Sequence, residues 1–190
     1  PMAIDFTLPP DLEDLRARVR SFIDDVVRPI EKEIDEDDRA SLRAGVIKMR
    51  KAAIERGLWL PHMPKEWGGM GLQHMEVALV SAEAARTRSG AFAINCQAPD
   101  VGNMEVLMEC GSPEQKARWL EPLARGDLRS CFAMTEPEFA GSNPVWMNTR
   151  ARRDGADYVI DGHKWFTSAA DGAAFAIVMV VTDPDAPKPH

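Results

Sequence analysis

The pattern of apolar residues along this chain changes kind once, at Gly126-Asp127, and that change restricts the folds open to it. Before it, apolar side chains recur at three- and four-residue spacing, the period of helices with one buried face. After it, short apolar runs lie between glycine-containing turns, the pattern of strands. Helices followed by strands, without alternation of the two, exclude the βαβ units of a nucleotide-binding parallel sheet and predict an α+β chain. The expectation is an N-terminal all-α helical domain over residues 1–126, followed over 127–190 by the first strands of a β-barrel-like domain.

Leu12, Leu15, Val19, Phe22 and Val26 form the first helical stripe, and Pro29, which lacks an N–H, is expected to bend or end that helix. Leu42, Val46, Met49 and Ala53 form the second, with Gly57 as the left-handed residue that follows it. A third helix is expected over residues 73–88 and a fourth over 91–110, closed by Gly111. Ser112-Pro113-Glu114-Gln115 is a helix start: a serine cap, a proline in the first turn and a glutamine able to reach back. Trp119, Leu120 and Leu123 give that fifth helix its inner face. Beyond Gly126, residues 130–135 suit a strand, Asp154-Gly155 signals a hairpin, Asp161-Gly162 a second turn, and residues 174–181 a buried strand. At least four strands with few closing partners would expose unpaired edges, so the chain is expected to be the front part of a longer protein or one partner of an assembly.

Net charge is −7, and an acidic surface repels phosphate backbones, which argues against nucleic acid or anionic membrane as the main partner. The longest apolar run, Ala173 to Val181, is far short of the ~20 residues of a membrane-spanning helix. Asp5, Asp11, Glu13 and Asp14 do not suit a secretory or transit peptide. Cys96, Cys110 and Cys131 form no C-x-x-C, and the histidines at 62, 74, 163 and 190 no ligand spacing. A disulfide framework and a metal site are therefore not expected, and a reducing, cytoplasmic location is. Gly68-Gly69-Met70-Gly71 superficially matches a phosphate loop, but no strand leads into it and His74 stands where the third glycine belongs, so it reads as a tight turn. Six acids between Glu31 and Arg39 read as a solvated face, and Met104 and Met108 as core.

The chemistry-bearing stretch runs from Cys131 to Ser142. An apolar strand ends in the hydroxyl of Thr135, followed by Glu136-Pro137 and then by the small residues Gly141 and Ser142. Lys164-Trp165-Phe166-Thr167-Ser168-Ala169-Ala170 repeats the idea: aromatics, hydroxyls, small residues. A flavin ring needs apolar or aromatic cover on a face and hydrogen-bond donors at its polar edge, and two such strand ends supply both. The same residues also suit a plainer role, Thr135 and Ser168 beginning loops and Trp165 and Phe166 filling core.

Four segments together resemble the acyl-CoA dehydrogenases in order and spacing: Pro64-Lys65-Glu66-Trp67-Gly68-Gly69-Met70-Gly71; Gly111-Ser112-Pro113-Glu114-Gln115-Lys116-Ala117-Arg118-Trp119-Leu120; Phe132-Ala133-Met134-Thr135-Glu136-Pro137 with Gly141-Ser142; and Gly162-His163-Lys164-Trp165-Phe166-Thr167-Ser168. The resemblance covers that family's N-terminal helical domain and the start of its middle β domain, and implies FAD as cofactor. It implies that Phe132, Ala133, Met134 and Thr135 lie beside the flavin, that Gly141 and Ser142 approach the cofactor and the acyl-CoA, and that Trp165, Phe166, Thr167 and Ser168 flank the ring. Cys96, Gln97 and Val101, with Ser142, are the substrate-binding candidates. The family's catalytic carboxylate lies in a C-terminal helical domain that this chain lacks, so no catalytic base is expected here, and Glu136 is given a structural role. The implied reaction is α,β-desaturation of an acyl-CoA thioester, with an electron-transferring flavoprotein as acceptor and a homodimer or homotetramer as the assembly. The loop after Pro137 is one residue longer than the family's common form, Asn143 replaces the usual Asp, and Trp165-Phe166-Thr167-Ser168 stands for the common Trp-Ile-Thr. These departures are similar to a subgroup that includes longer, kinase-fused relatives. A flavin monooxygenase or nitroalkane oxidase of the same fold, or a non-catalytic scaffold subunit, are the alternative readings.

Overall fold

A computed structural model of the 190-residue chain describes residues 7–141 and 143–187. Helices come first and strands last, and the chain divides between Val101 and Gly102 into two compact units.

In the first unit, α1 (Pro10–Phe22) buries Leu15, Val19 and Phe22 and continues through a wide turn, Ile23–Val27, into α2 (Arg28–Glu33). Pro29 therefore does not end this helix. A proline takes no part as donor and collides with the carbonyl four residues back. The backbone answers two residues earlier by slipping to an i→i+5 register, in which Arg28 N–H donates to Ile23 O. α3 (Arg39–Glu55) starts on the Asp38 carboxylate, which accepts from Ala40 N–H. Its buried residues are Gly45, Met49 and Ala53, whereas Leu42 is 37% exposed. The expected stripe is thus displaced at its start, because Gly45 admits Ile34: a Cβ there would stand 2.4 Å from Ile34 Cδ1. At the other end Gly57 has φ +66°, and Leu58 N–H reaches Ala53 O, closing the helix as a left-handed cap. The glycine segment at 68–71 folds back on itself, with Gly71 N–H on Met63 O, ahead of α4 (His74–Ala84). The third expected helix accordingly stops at Ala84.

The fourth expected helix is two helices. α5 (Gly90–Ala93) ends at once, Asn95 turns left-handed with φ 53°, and α6 (Asp100–Cys110) begins after Pro99. Pro99 offers no N–H to a continuing helix, and Arg50 Nη2 donates to the Asn95 side-chain Oδ1 at 3.2 Å. The core of this unit joins Val19, Phe22, Ile23, Val27, Met49, Ala53, Leu58, Val80 and Ile94. Full burial of such side chains stabilises by about 1.5–3 kcal/mol each. Glu83, on α4, receives Arg20 of α1 through two hydrogen bonds of 3.0 and 2.6 Å. The acidic run is solvated and ion-paired, with Glu33 to Lys48 and Glu36 to Arg88.

In the second unit, α7 (Pro113–Gln115), a wide turn (Lys116–Leu120) and α8 (Glu121–Arg125) form one continuous helical path. Ser112 and Gln115 cap it reciprocally, as expected. Pro122 again follows a five-residue slip, with Glu121 N–H on Lys116 O. Leu120 and Leu123 are buried and Trp119 packs on Phe175, ring centroids 5.1 Å apart. The strands are β1 (Ser130–Ala133), β2 (Arg150–Asp154), β3 (Asp157–Asp161) and β4 (Phe175–Val178). β2 and β3 form the expected antiparallel hairpin, and pairing of Asp154 with Asp157 makes Gly155-Ala156 its two-residue loop. β1 and β4 pair in parallel, Ser130 with Phe175 through Ala133 with Val178. β4 is not a buried strand: Phe175, Ile177 and Val178 are half-buried and Ala176 is exposed. Among the described residues it pairs only with β1 in a two-stranded sheet, so its other edge has no strand partner there. Among the described residues no helix is long and apolar enough to cross a membrane, and no cluster of His, Cys, Asp and Glu is arranged to hold a metal.

Candidate functional site

The site is built on the exit from β1. Asn103 of α6 anchors that strand, donating to Ser130 Oγ at 2.9 Å and Cys131 O at 3.0 Å, with all three buried. Met179 N–H extends the ladder to Ala133 O. The next three residues are then tied to the segment that follows β3. Trp165 N–H donates to Thr135 O at 3.1 Å, and Thr135 Oγ1 donates back to Trp165 O at 2.6 Å. Lys164 Nζ donates to Met134 O at 2.8 Å and to Glu136 Oε1 at 2.9 Å. Gly141 packs against the same threonine, where a Cβ would stand 2.3 Å from Thr135 Cγ2.

Glu136 is the hub. Its carboxylate also accepts from Asn148 N–H and, at 2.8 Å, from Thr149 N–H, so one side chain ties the β1 exit to the entry of β2 and to the segment after β3. Burial would raise this carboxyl's pKa, but the Asn148 amide, Thr149 and the Lys164 ammonium outweigh it and hold it down at about 2. Its side chain is 1% exposed and that of Lys164 10%, so the pair is shielded from solvent. A buried charge is tolerated only when paired and hydrogen-bonded in this way.

Beyond the clamp the segment turns outward. Phe166 is 81% exposed and has φ 49°, a left-handed conformation that a bulky residue adopts only when its surroundings hold it there. Trp165 is 41% exposed, its ring 4.6 Å from that of Phe166. Neither is core. Among the described residues, the N–H groups of Thr135, Phe166, Thr167 and Ser168 donate to no protein acceptor, nor does the Ser168 hydroxyl. Two exposed rings and a set of uncommitted donors thus stand along one bonded pair of chain segments.

The structure brings Met134, Thr135, Gly141, Trp165 and Phe166 together through these contacts. Phe132 and Ala133 lie upstream in β1, opposite Ile177 and Val178. Thr167 closes a turn with Ala170, and Ser168 is exposed within it. Ser142 lies outside the described residues. Cys96, Gln97 and Val101 belong to the first unit. Gln97 Nε2 donates to Asp100 Oδ2 at 2.6 Å and its buried Oε1 has no partner among the described residues, while Cys96 and Val101 are half-buried. Sequence reasoning did not single out Lys164; Glu136, given a structural role there, ties three chain segments together in the structure. The available signal was a lone acid directly after one hydroxyl-tipped strand end and a lone base directly before the aromatics of the other.

Comparison with known proteins agrees with the architecture. The chain matches the acyl-CoA dehydrogenase N-terminal domain over residues 9–127 and the acyl-CoA dehydrogenase middle domain over 131–190. It is 37% identical over 191 residues to the probable acyl-CoA dehydrogenase FadE2 of Mycobacterium tuberculosis, covering 96% of this chain and 46% of that protein. A putative acyl-CoA dehydrogenase from Mycobacterium abscessus superposes with a TM-score of 0.86 at 35% identity, over 96% of this chain and 49% of its own. A glutaryl-CoA dehydrogenase from Mycobacterium smegmatis, in complex with FADH2, superposes at 0.67 and 30% identity, over 93% and 44%. The chain therefore spans less than half the length of these relatives. It belongs to the acyl-CoA dehydrogenase family, of which it carries the N-terminal domain and residues of the middle domain.

Proposed function

We propose that the full-length protein is an FAD-dependent dehydrogenase of acyl-CoA thioesters and that this chain supplies one wall of its flavin site. The observation that carries the reading is the bonded edge of Thr135 and Trp165, where exposed rings stand beside uncommitted amide donors. That set of groups fits a flat heteroaromatic with a polar rim. When bound, FAD would supply a hydride acceptor for desaturation of the Cα–Cβ bond. Trp165 and Phe166 would cover the ring and exclude water. The N–H groups of Thr135, Phe166, Thr167 and Ser168, with the Ser168 hydroxyl, would stabilise negative charge at its polar edge. Phe132, Ala133 and Met134 would back that edge, and Gly141 and Ser142 would admit close approach of the cofactor and thioester. Cys96, Gln97 and Val101 would line the acyl chain.

Glu136 is unsuited to remove the α-proton. Its carboxylate is buried, already accepts from Asn148, Thr149 and Lys164, and holds a pKa of about 2. A general base must be free to take the proton and have a pKa nearer the working pH, so that role falls to a group other than Glu136. An electron-transferring flavoprotein as acceptor, a homodimer or homotetramer and a cytoplasmic location complete the proposal. The glutaryl-CoA dehydrogenase bound to FADH2 supports the cofactor. The experiment is anaerobic titration of the purified full-length protein with acyl-CoA thioesters. Bound FAD bleached by at least one thioester is expected. Absence of bound FAD, or FAD that no thioester bleaches, overturns the reading.

A further inference from the structure

We propose that Lys164 is a positioning residue for the flavin: by bridging Met134 O and Glu136, it sets the register in which Trp165 and Phe166 are presented at the cofactor edge. The inference rests on the flavin reading above and adds to it the device that aims the rings.

The geometry is specific to this lysine. Its two acceptors belong to residues 134 and 136, which straddle Thr135, the residue paired with Trp165. An ammonium is a compact donor able to serve both acceptors from one point. In extended segments a slip of one residue turns every side chain to the opposite face. A slip here would carry Lys164 away from both acceptors and leave the buried Glu136 without its cation. The correct register is thereby separated from its neighbours by the cost of an unpaired buried charge.

The residue after the clamped pair makes this matter. Phe166 holds a left-handed φ of 49° while its ring is mostly exposed, so packing of the ring does not hold that conformation. What fixes it is the chain on its N-terminal side, where the Trp165 backbone is bound through both N–H and C=O and the Lys164 side chain is anchored through Nζ. On the C-terminal side Ala169 is also left-handed, at φ 66°, within a turn closed by Ala170 N–H on Thr167 O. An ion pair used purely as glue is replaceable by apolar packing at little loss. One that spans three chain segments and stops one residue short of two exposed rings is placed to set their direction.

The test compares wild type, Lys164→Met and Lys164→Arg in the full-length protein, reading the FAD dissociation constant by equilibrium dialysis and the visible circular dichroism of FAD at saturation. Lys164→Met is expected to weaken FAD binding at least tenfold and to change the shape of the flavin bands in the saturated protein. The spectrum separates aiming from stability, since a merely structural lysine would lower the melting temperature yet leave bound FAD with its wild-type bands. Arginine keeps the charge but is longer and donates in a fixed plane, so it meets the two acceptors from a different point, and Lys164→Arg is expected to alter the bands in the same direction. It decides the matter if the methionine variant does not fold. Bands superimposable on wild type, with a dissociation constant within twofold, overturn the proposal. Wild type that binds no FAD overturns the parent reading and this one together, a result distinct from normal wild-type binding with unaltered variants.

Discussion

Replacing Glu136 with glutamine removes one charge while keeping the shape of the side chain, and the structure sets the size of the consequence. Both carboxylate oxygens are used: Oε1 accepts from Thr149 N–H and Lys164 Nζ, and Oε2 from Asn148 N–H. Glutamine has one acceptor oxygen and an NH2 group, so whichever way it turns, a donor meets a donor. Lys164 keeps Met134 O but loses its counter-charge at a position only 10% exposed. Removing one partner of a buried pair costs about 3–5 kcal/mol. The depression of this carboxyl from 4.5 to about 2 is a second route to the size, at about 3 kcal/mol favouring the ionised form. Native-state amide exchange at Asn148 and Thr149 reads the loss locally. A loss of about 3 kcal/mol, at about 1.4 kcal/mol per tenfold, corresponds to exchange faster by roughly a hundredfold. Exchange at both amides within threefold of wild type would refute the view that this carboxylate holds three segments together.

The Glu136 contribution is present above its unfolded pKa of 4.5 and is lost as pH falls towards about 2, so acid should loosen the same two amides in that window. His62 acts higher: burial lowers its pKa from 6.5 to about 4, the unfolded chain binds the proton first, and up to about 3 kcal/mol should drain away between those values, a slope that His62→Leu abolishes in pH-dependent melting. Gly69→Ala places a Cβ 2.1 Å from Met63 O, against backbone rather than a movable side chain, and should cost about 1–3 kcal/mol by thermal melting. Ser112→Ala deletes the reciprocal cap with Gln115 and should cost about 1 kcal/mol by the same measurement. Ser168→Ala, which removes an uncommitted donor, should slow flavin reduction roughly two- to tenfold in stopped-flow absorbance while acyl-CoA affinity holds.

The features legible in the sequence are those whose causes lie within a few residues. Ser112 and Gln115 announce a capped helix because the bonds that form it span three positions. Gly57 announces a left-handed end because only the local backbone decides it. The hairpin signal at Asp154-Gly155 locates β2 and β3 for the same reason, though pairing moves the loop to Gly155-Ala156. Pro29, expected to bend or end its helix, does not end it, because a wide helical turn absorbs the missing donor. Leu42 misleads because a glycine on the next turn offers a neighbouring isoleucine a better seat.

The sequence by itself determined that helices precede strands, that a capped helix starts at Ser112 and that another ends left-handed at Gly57, since periodicity, capping and turn chemistry act over short stretches of chain. Only the tertiary structure decided that β1 pairs in parallel with β4, that Trp165 and Phe166 face outward, and that Lys164 reaches Glu136 across 28 positions. Those outcomes depend on which distant groups can satisfy a buried charge or an open backbone amide, and no local pattern of residues encodes that choice.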